Sequence, residues 1–309
     1  MPGFEDPQIY RTILEALKTG LYVVDRQRRI VFWNDGAERI TGYLRHEVVG
    51  HSCIENILKH CNQESCELCG DRCPLSSALR EARPVEATGF IHHKGGHRLF
   101  VHLWSAPVRN PSGSIIGALQ SFEGRYVIPN PDRRENTLSA YGLLDAVTGM
   151  ANQPMMLTHL REALTTFSEL SVPFGILCIR MGELEHFRRT YGWEAANSVM
   201  RVAAQTIENS LRPTDFVGRW DDDKFLAILT NCQMSALDSV SKRILKMAAT
   251  GGIEWWGEEL CIAVAIETTT AQAEDTLELL LGRIQQAFDR MPGAYRVAAA
   301  GGSEARRTS

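Results

Sequence analysis

Residues 216–229 alternate with a period of two. Phe216, Gly218 and Trp220 fall on one side, three consecutive acids (Asp221, Asp222 and Asp223) interrupt, and Phe225, Ala227 and Leu229 resume the pattern. Successive side chains of a strand point to opposite faces, so the pattern predicts a β-hairpin with an acidic tip. Around it, helical spacing predicts helices at 154–167, 183–191, 194–211, 235–249 and 274–290, and short apolar runs predict strands at 173–180, 253–256 and 260–267. Alternating strands and helices imply an α/β sandwich with a mixed sheet.

The first half of the chain is punctuated differently. Ile9, Ile13, Leu14 and Leu17 sit at helical spacing, and residues 20–25 and 30–34 flank a basic turn through Arg29 and predict a hairpin. Short helical pieces at 35–43 and 46–50 are broken by glycines. Strands follow at 85–93, 97–108 and 115–122, separated by Lys94-Gly-Gly96 and Asn110-Pro-Ser-Gly113 turns. Two strands, short helices and three more strands describe a five-stranded antiparallel sheet with helices over one face. Between the halves, residues 125–136 turn polar, with Pro129, Pro131 and Arg133-Arg134, and read as a linker before helical character returns at 137–144.

With 309 residues, 44% of them hydrophobic and 23% charged, the chain has the material for two ordinary domains. Its formal net charge of −4 lacks the basic footprint of a protein that tracks a nucleic-acid backbone. A small anion held by two or three arginines is compatible with it. The opening Met-Pro-Gly-Phe-Glu-Asp-Pro lacks a signal-peptide pattern, and no apolar run approaches the roughly 20 residues of a membrane span, so the expected location is the cytoplasm.

Eight cysteines are unevenly spread: Cys53, Cys61, Cys66, Cys69 and Cys73 cluster, while Cys178, Cys232 and Cys261 lie among apolar neighbours as small hydrophobes. A reducing compartment argues against a disulfide framework. The first reading of the cluster is buried thiols or a redox-sensitive loop; the alternative is zinc or an iron–sulfur cluster at Cys53, His60, Cys69 and Cys73, whose thiolates and imidazole suit such a group although the spacing matches no standard zinc-finger template. Cys66-x-x-Cys69 is followed by Gly70 rather than His, which excludes covalent haem attachment. His92, His93 and His97 flank a turn and are expected to face solvent.

The order of elements, with Val24-Asp25, Trp33-Asn34, Thr41-Gly42-Tyr43, Val49-Gly50 and the 113–117 turn, resembles a PAS sensor domain over residues 9–124. That resemblance implies a pocket between sheet and helices for a small cue. A subset of PAS domains attached to GGDEF modules looks similar in the cysteine region. Further on, the 145–152 stretch, Tyr191-Gly192 and the segment from Arg219 to Phe225 resemble a GGDEF domain over residues 143–298, an α/β sandwich like that of nucleotide cyclases. The resulting division is a tail at 1–8, the PAS domain at 9–124, a linker or signalling helix at 125–142, the GGDEF domain at 143–298 and a disordered tail at 299–309.

The resemblance implies that active members pair face to face and join two GTP into cyclic di-GMP by metal-assisted transfer. Position by position, this chain departs from them. Two turn glycines are replaced by Asp221 and Asp222; the acidic metal ligand survives as Asp223, but the next acid is Lys224; and the carboxylate expected on the first strand is Arg180, a cation where a cation must bind. Guanine-reading positions hold Arg188 and Asn197, and the last helix offers Arg290 and Ala294. Asp223 and Arg180 are placed to form an ion pair, and Asp221 and Asp222 a solvated tip. The family's inhibitory site, by contrast, is matched by Arg212, Asp215 and Arg243: guanidinium donates to guanine O6 and N7, and carboxylate accepts from N1 and N2 hydrogens. The bland alternative is a surface Arg212–Asp215 salt bridge of little energetic value.

The leading expectation is therefore a PAS sensor joined to a catalytically inactive GGDEF domain that receives cyclic di-GMP. A residual diguanylate cyclase is one rival, and a nucleotide-independent dimerisation module is another. The resemblance also implies a homodimer joined near 125–144 and a separate downstream signalling protein, since no DNA-binding helix pair is present.

Overall fold

The computed structural model describes residues 6–55, 57–62, 68–69, 72–124 and 142–291. Cys66, Gly70, Ala294, residues 125–141 of the linker and the 299–309 tail lie outside them.

In the N-terminal unit, helix α1 (Pro7–Ala16) starts at Asp6, whose carboxylate accepts the Gln8 amide, with Pro7 in the first turn. Strands β1 (Gly20–Asp25) and β2 (Ile30–Trp33) form the expected hairpin. Asn34 then starts α2 (Asp35–Thr41) and ties three segments together: its Oδ1 accepts from Ala37 and Leu21 amides, each at 2.8 Å, and its Nδ2 donates to the Leu14 and Thr19 carbonyls, each at 3.0 Å. A fully buried amide is tolerated because its donors and acceptor are matched. Helices α3 (Arg45–Val48) and α4 (Pro74–Glu81) lead to β3 (Val85–His92), β4 (Arg98–Arg109) and β5 (Ile115–Gly124).

Among the described residues these strands form one antiparallel sheet in the order β2-β1-β5-β4-β3. Along β4, Val101, Leu103 and Ser105 are buried while His102 and Trp104 are exposed, the period-two signature of a sheet with one covered face. The covered face packs Tyr22, Trp33, Phe122, Leu75 and Leu103 into one core. Inside it, the Tyr22 hydroxyl bonds Gln120, whose amide donates to Ser105 Oγ at 3.2 Å.

The C-terminal unit follows with α5 (Gln153–Leu170), β6 (Phe174–Met181), α6 (Leu184–Tyr191), α7 (Trp193–Asn209), β7 (Phe216–Asp221), β8 (Lys224–Thr230), α8 (Met234–Ala249), β9 (Gly252–Trp255), β10 (Glu258–Cys261), β11 (Val264–Thr270) and α9 (Leu277–Arg290). The main sheet runs β11-β6-β8-β7. Along β8, Phe225, Ala227 and Leu229 belong to one apolar core and Leu226 and Ile228 to another. The first core is closed by α6, α7 and α8, the second by α5 and α9, so the strand is buried on both faces.

Four expectations need correction. Every strand pair of the main sheet is antiparallel, the parallel element being an isolated bridge between Ala151 and Gly218, so the sheet is not mixed in its named strands. The apolar run at 260–267 is two strands in different sheets, β10 beside β9 and β11 beside β6, because the buried Ile262 and Ala263 carry the chain between them without a polar break. Residues 142–144 form a turn and a bridge rather than the end of a helix. Nor do the three histidines all face solvent. His97 is buried and stacks on His93 with ring centroids 4.2 Å apart, and His92 and His93 are half-buried, because the β3–β4 hairpin packs against the C-terminal unit. Among the described residues no helix is long and apolar enough to cross a membrane.

Candidate functional site

Two places in the C-terminal unit concentrate charge. The first is the β7–β8 tip. A register shift between Arg219 and Asp221 marks a β-bulge, and none of Asp221, Asp222 and Asp223 has a positive φ. The bulge supplies the local twist, so this turn has no conformational need for glycine. Glycine is needed lower down: a Cβ on Gly218 would sit 2.4 Å from the Ala151 carbonyl oxygen and 2.6 Å from Met156 Cγ. That close approach lets the Arg219 amide donate to Ala151 O at 2.8 Å, docking the 143–152 loop on β7. The loop holds itself through Asp145, whose Oδ1 accepts the Thr148 amide and hydroxyl, each at 2.8 Å.

Every acid at the tip has a cation from this chain. Arg180 at the end of β6 donates from Nε to Asp223 Oδ2 at 2.8 Å. Arg188 of α6 grips the Asp222 carboxylate through both terminal nitrogens and lies 4.5 Å over the Trp193 ring. Arg219 reaches Asp145 at 3.1 and 3.2 Å and the Asp222 carbonyl at 2.8 Å, and Lys224 holds Asp221 at 3.0 Å. The tip is thus pinned, not merely solvated. The Arg188 guanidinium keeps the Asp222 carboxyl below its usual range, and the Asp222 amide and Lys224 do the same for Asp221. Burial works against ionised Asp145, yet hydrogen bonds from Thr148 and Arg219 leave it lowered as well. A divalent cation does not fit these residues: the one retained acid is already matched by Arg180, and Arg188, Arg219 and Lys224 surround the space. Asn197 is half-buried on α7, and Arg290 is exposed at the end of α9.

The pairs Arg188–Asp222 and Arg219–Asp145 escape a reading by local spacing, since 34 and 74 residues separate the partners. The available signal was phase: Arg219 lies between the buried Gly218 and Trp220, and so points to the other face of β7.

The second place follows α7. Ser210 ends the helix; its carbonyl accepts from Arg243 Nε at 3.0 Å and Nη2 at 2.6 Å, so Arg243 caps the negative end of the helix dipole. The Asp215 carboxylate accepts the Arg212 amide at 2.8 Å, fixing the turn around Pro213. The alternative reading, an Arg212–Asp215 side-chain salt bridge, is not formed: the carboxylate meets the Arg212 backbone instead. The Arg212 guanidinium is exposed and has no partner among the described residues. Arg212 and Arg243 line one cleft of about 410 Å³, and Asp215 stands beside it rather than in its wall.

The cysteine region does not assemble the candidate quartet. Cys69 Sγ lies 3.7 Å from His60 Nδ1, Cys53 is half-buried on a short 3₁₀ turn, and Cys73 is buried at the start of α4. Among the described residues no group of three or more His, Cys, Asp or Glu side chains could hold a metal ion. Zinc or an iron–sulfur cluster at Cys53, His60, Cys69 and Cys73 thus finds no ligand set there.

Comparison with known proteins places these features in a family. Residues 143–294 match the model of the diguanylate cyclase GGDEF domain, and residues 8–122 match that of the PAS fold. The chain is 21% identical over 258 residues to the probable diguanylate cyclase DgcE of Escherichia coli (strain K12), covering 82% of this chain and 22% of that protein. It is 23% identical over 168 residues to the diguanylate cyclase DgcP of Pseudomonas aeruginosa, covering 53% and 24%. The chain therefore spans less than a quarter of the length of both relatives. Among solved structures, the GGDEF domain of DgcB from Caulobacter crescentus in complex with c-di-GMP is 18% identical, with a TM-score of 0.46 over 48% of this chain and 88% of that one. The two matched segments, in this order, make the chain a PAS fold followed by a GGDEF domain of the diguanylate cyclase type.

Proposed function

We propose that the GGDEF domain of this chain is a receptor for cyclic di-GMP and not a cyclase. The observation that carries this reading is the contrast in cation availability. At the tip, Arg180 occupies Asp223 and leaves no place for a divalent metal, while at the end of α7 the Arg212 guanidinium, without a partner among the described residues, opens with Arg243 onto a cleft. Guanidinium groups suit the acceptor edge of guanine and the bridging phosphates, and the adjacent Asp215 suits the donor edge. The PAS domain is the sensor, and the protein works in the cytoplasm as a homodimer that passes its state to a separate signalling protein.

Calorimetric titration with cyclic di-GMP should give micromolar or tighter binding, about −8 kcal/mol or better, that collapses in Arg212→Ala. Absence of heat with the unaltered chain would overturn the receptor reading. Incubation with GTP and Mg²⁺ or Mn²⁺ should yield no cyclic product; its appearance would establish the enzyme instead.

A further inference from the structure

The cleft at Arg212 and Arg243 has one wall from each domain. The GGDEF wall is the end of α7 and the turn after it, with Arg243 from α8; the opposite wall is the outer face of the PAS sheet, formed by Phe90 of β3 and Phe100 and His102 of β4. Phe90 and Phe100 are register partners with ring centroids 5.2 Å apart, and Phe100 meets His102 edge to face at 5.7 Å. Residues 100 and 102 share one face of β4, so the rings form a graded run: Phe90 is buried, Phe100 half-buried and His102 exposed.

The PAS wall is fixed against the GGDEF domain by its own contacts. Arg98, only 4% exposed, donates to the Lys59 carbonyl at 2.7 Å within the PAS domain and, across the junction, to Thr250 Oγ1 at 3.2 Å and the Thr250 carbonyl at 3.3 Å. Phe90 packs with Met247 of α8 in a small apolar cluster. A buried guanidinium is costly unless its hydrogens are matched, so the Arg98 contacts hold the hairpin in one docked position.

Guanine presents an edge and a face. The GGDEF wall offers cations for edge and phosphate, but its remaining lining side chains, Asn209, Ser210, Leu211 and Pro213, include no aromatic ring. The PAS wall offers rings. Resting on the reading of this cleft as a cyclic di-GMP site, we infer that Phe100 and His102 of the PAS domain stack on the guanine whose edge and phosphates are held by Arg212 and Arg243, so that the site is complete only when the sensor is docked. By thermodynamic reciprocity, ligand then tightens the PAS–GGDEF contact by the factor with which docking tightens ligand binding.

The test is a cyclic di-GMP titration of the full chain and four variants: Arg212→Ala, His102→Ala, Phe100→Leu and Trp104→Ala. Base–aromatic stacking predicts binding about five- to hundredfold weaker in His102→Ala and in Phe100→Leu. Trp104, 40% exposed on the same face of β4 but outside the cleft, is the control that should bind as the unaltered chain does. His102 is exposed, so its truncation leaves the fold intact, and a thermal melt checks this. If Arg212→Ala abolishes binding while His102→Ala and Phe100→Leu bind normally, the two-domain site is overturned and the receptor reading stands. If the unaltered chain binds nothing, both fail together.

Discussion

The β7–β8 tip and the cleft after α7 are built from the same residue types and reach opposite electrostatic states. At the tip, Asp145, Asp221, Asp222 and Asp223 meet Arg219, Lys224, Arg188 and Arg180, and the charges are spent on one another. In the cleft, Asp215 has turned to a backbone amide, and the Arg212 guanidinium has no partner among the described residues. An arginine neutralised by its own chain gains structure and loses its attraction for an anion. One kept apart from its carboxylate retains that attraction. The difference teaches that counting charged residues at a site says little until their partners are known.

The most damaging way to break the comparison is at the close approach under the tip. Gly218→Val places side-chain atoms against Ala151 O and Met156 and should cost about 3 kcal/mol, as overpacking at a buried strand does; urea unfolding with a midpoint like that of the unaltered protein would refute the docking of the 143–152 loop. Next is a pair of variants that should separate the two regions. Arg212→Ala should remove detectable cyclic di-GMP binding, a loss of about 3 kcal/mol or more as two charge-assisted hydrogen bonds go, while shifting stability by no more than about 0.5 kcal/mol. Asp222→Asn should do the reverse, leaving affinity alone and lowering stability by about 1 kcal/mol or less, because its carboxylate is largely solvated. Calorimetry and unfolding on the same two proteins read both effects, and a single variant that moves both would show the sites to be coupled.

The smallest expected effect is in pH. Asp145, Asp221 and Asp222 titrate below the ordinary carboxylate range in the folded protein, so the unfolded chain takes up protons first as the solution is acidified. Their contribution is complete above the unfolded value, near pH 4, and is lost as pH falls through the lower folded values. Asp222→Asn should accordingly make the fall of stability below about pH 4 shallower without changing it near neutrality. An unchanged acid limb would mean that the Arg188 pair is not maintained in solution.

Much of the architecture was legible in the chain. The alternation on either side of Asp221 to Asp223, the glycine and proline turns at 94–96 and 110–113, and the helical spacing of 235–249 correspond to β7–β8, β3–β5 and α8. Boundaries failed where apolar residues ran on without punctuation: residues 260–267 divide between two sheets at a point where Ile262 and Ala263 look like any strand interior. Helix α4 is absent from the expected elements because it is brief and follows the cysteine-rich stretch; its one local signal is Pro74, a first-turn proline. At the candidate site, Arg212, Asp215 and Arg243 were named from the resemblance to the family's inhibitory site; Arg212 and Arg243 line one cleft although the β7–β8 hairpin separates them in the chain, and Asp215 stands outside its wall.

Sequence alone determined the two-domain plan, the hairpin with its acidic tip and the identity of the cations available to each region, because period, turn chemistry and residue type are local properties. Only the tertiary structure decided which cation meets which acid. That Arg188 crosses from α6 to Asp222, that Asp215 turns to the Arg212 amide and that Phe100 and His102 of the sensor wall the arginine cleft all depend on contacts between segments distant in the chain. Such contacts are set by how two covered sheets and their helices pack, and no residue's neighbours in sequence record them.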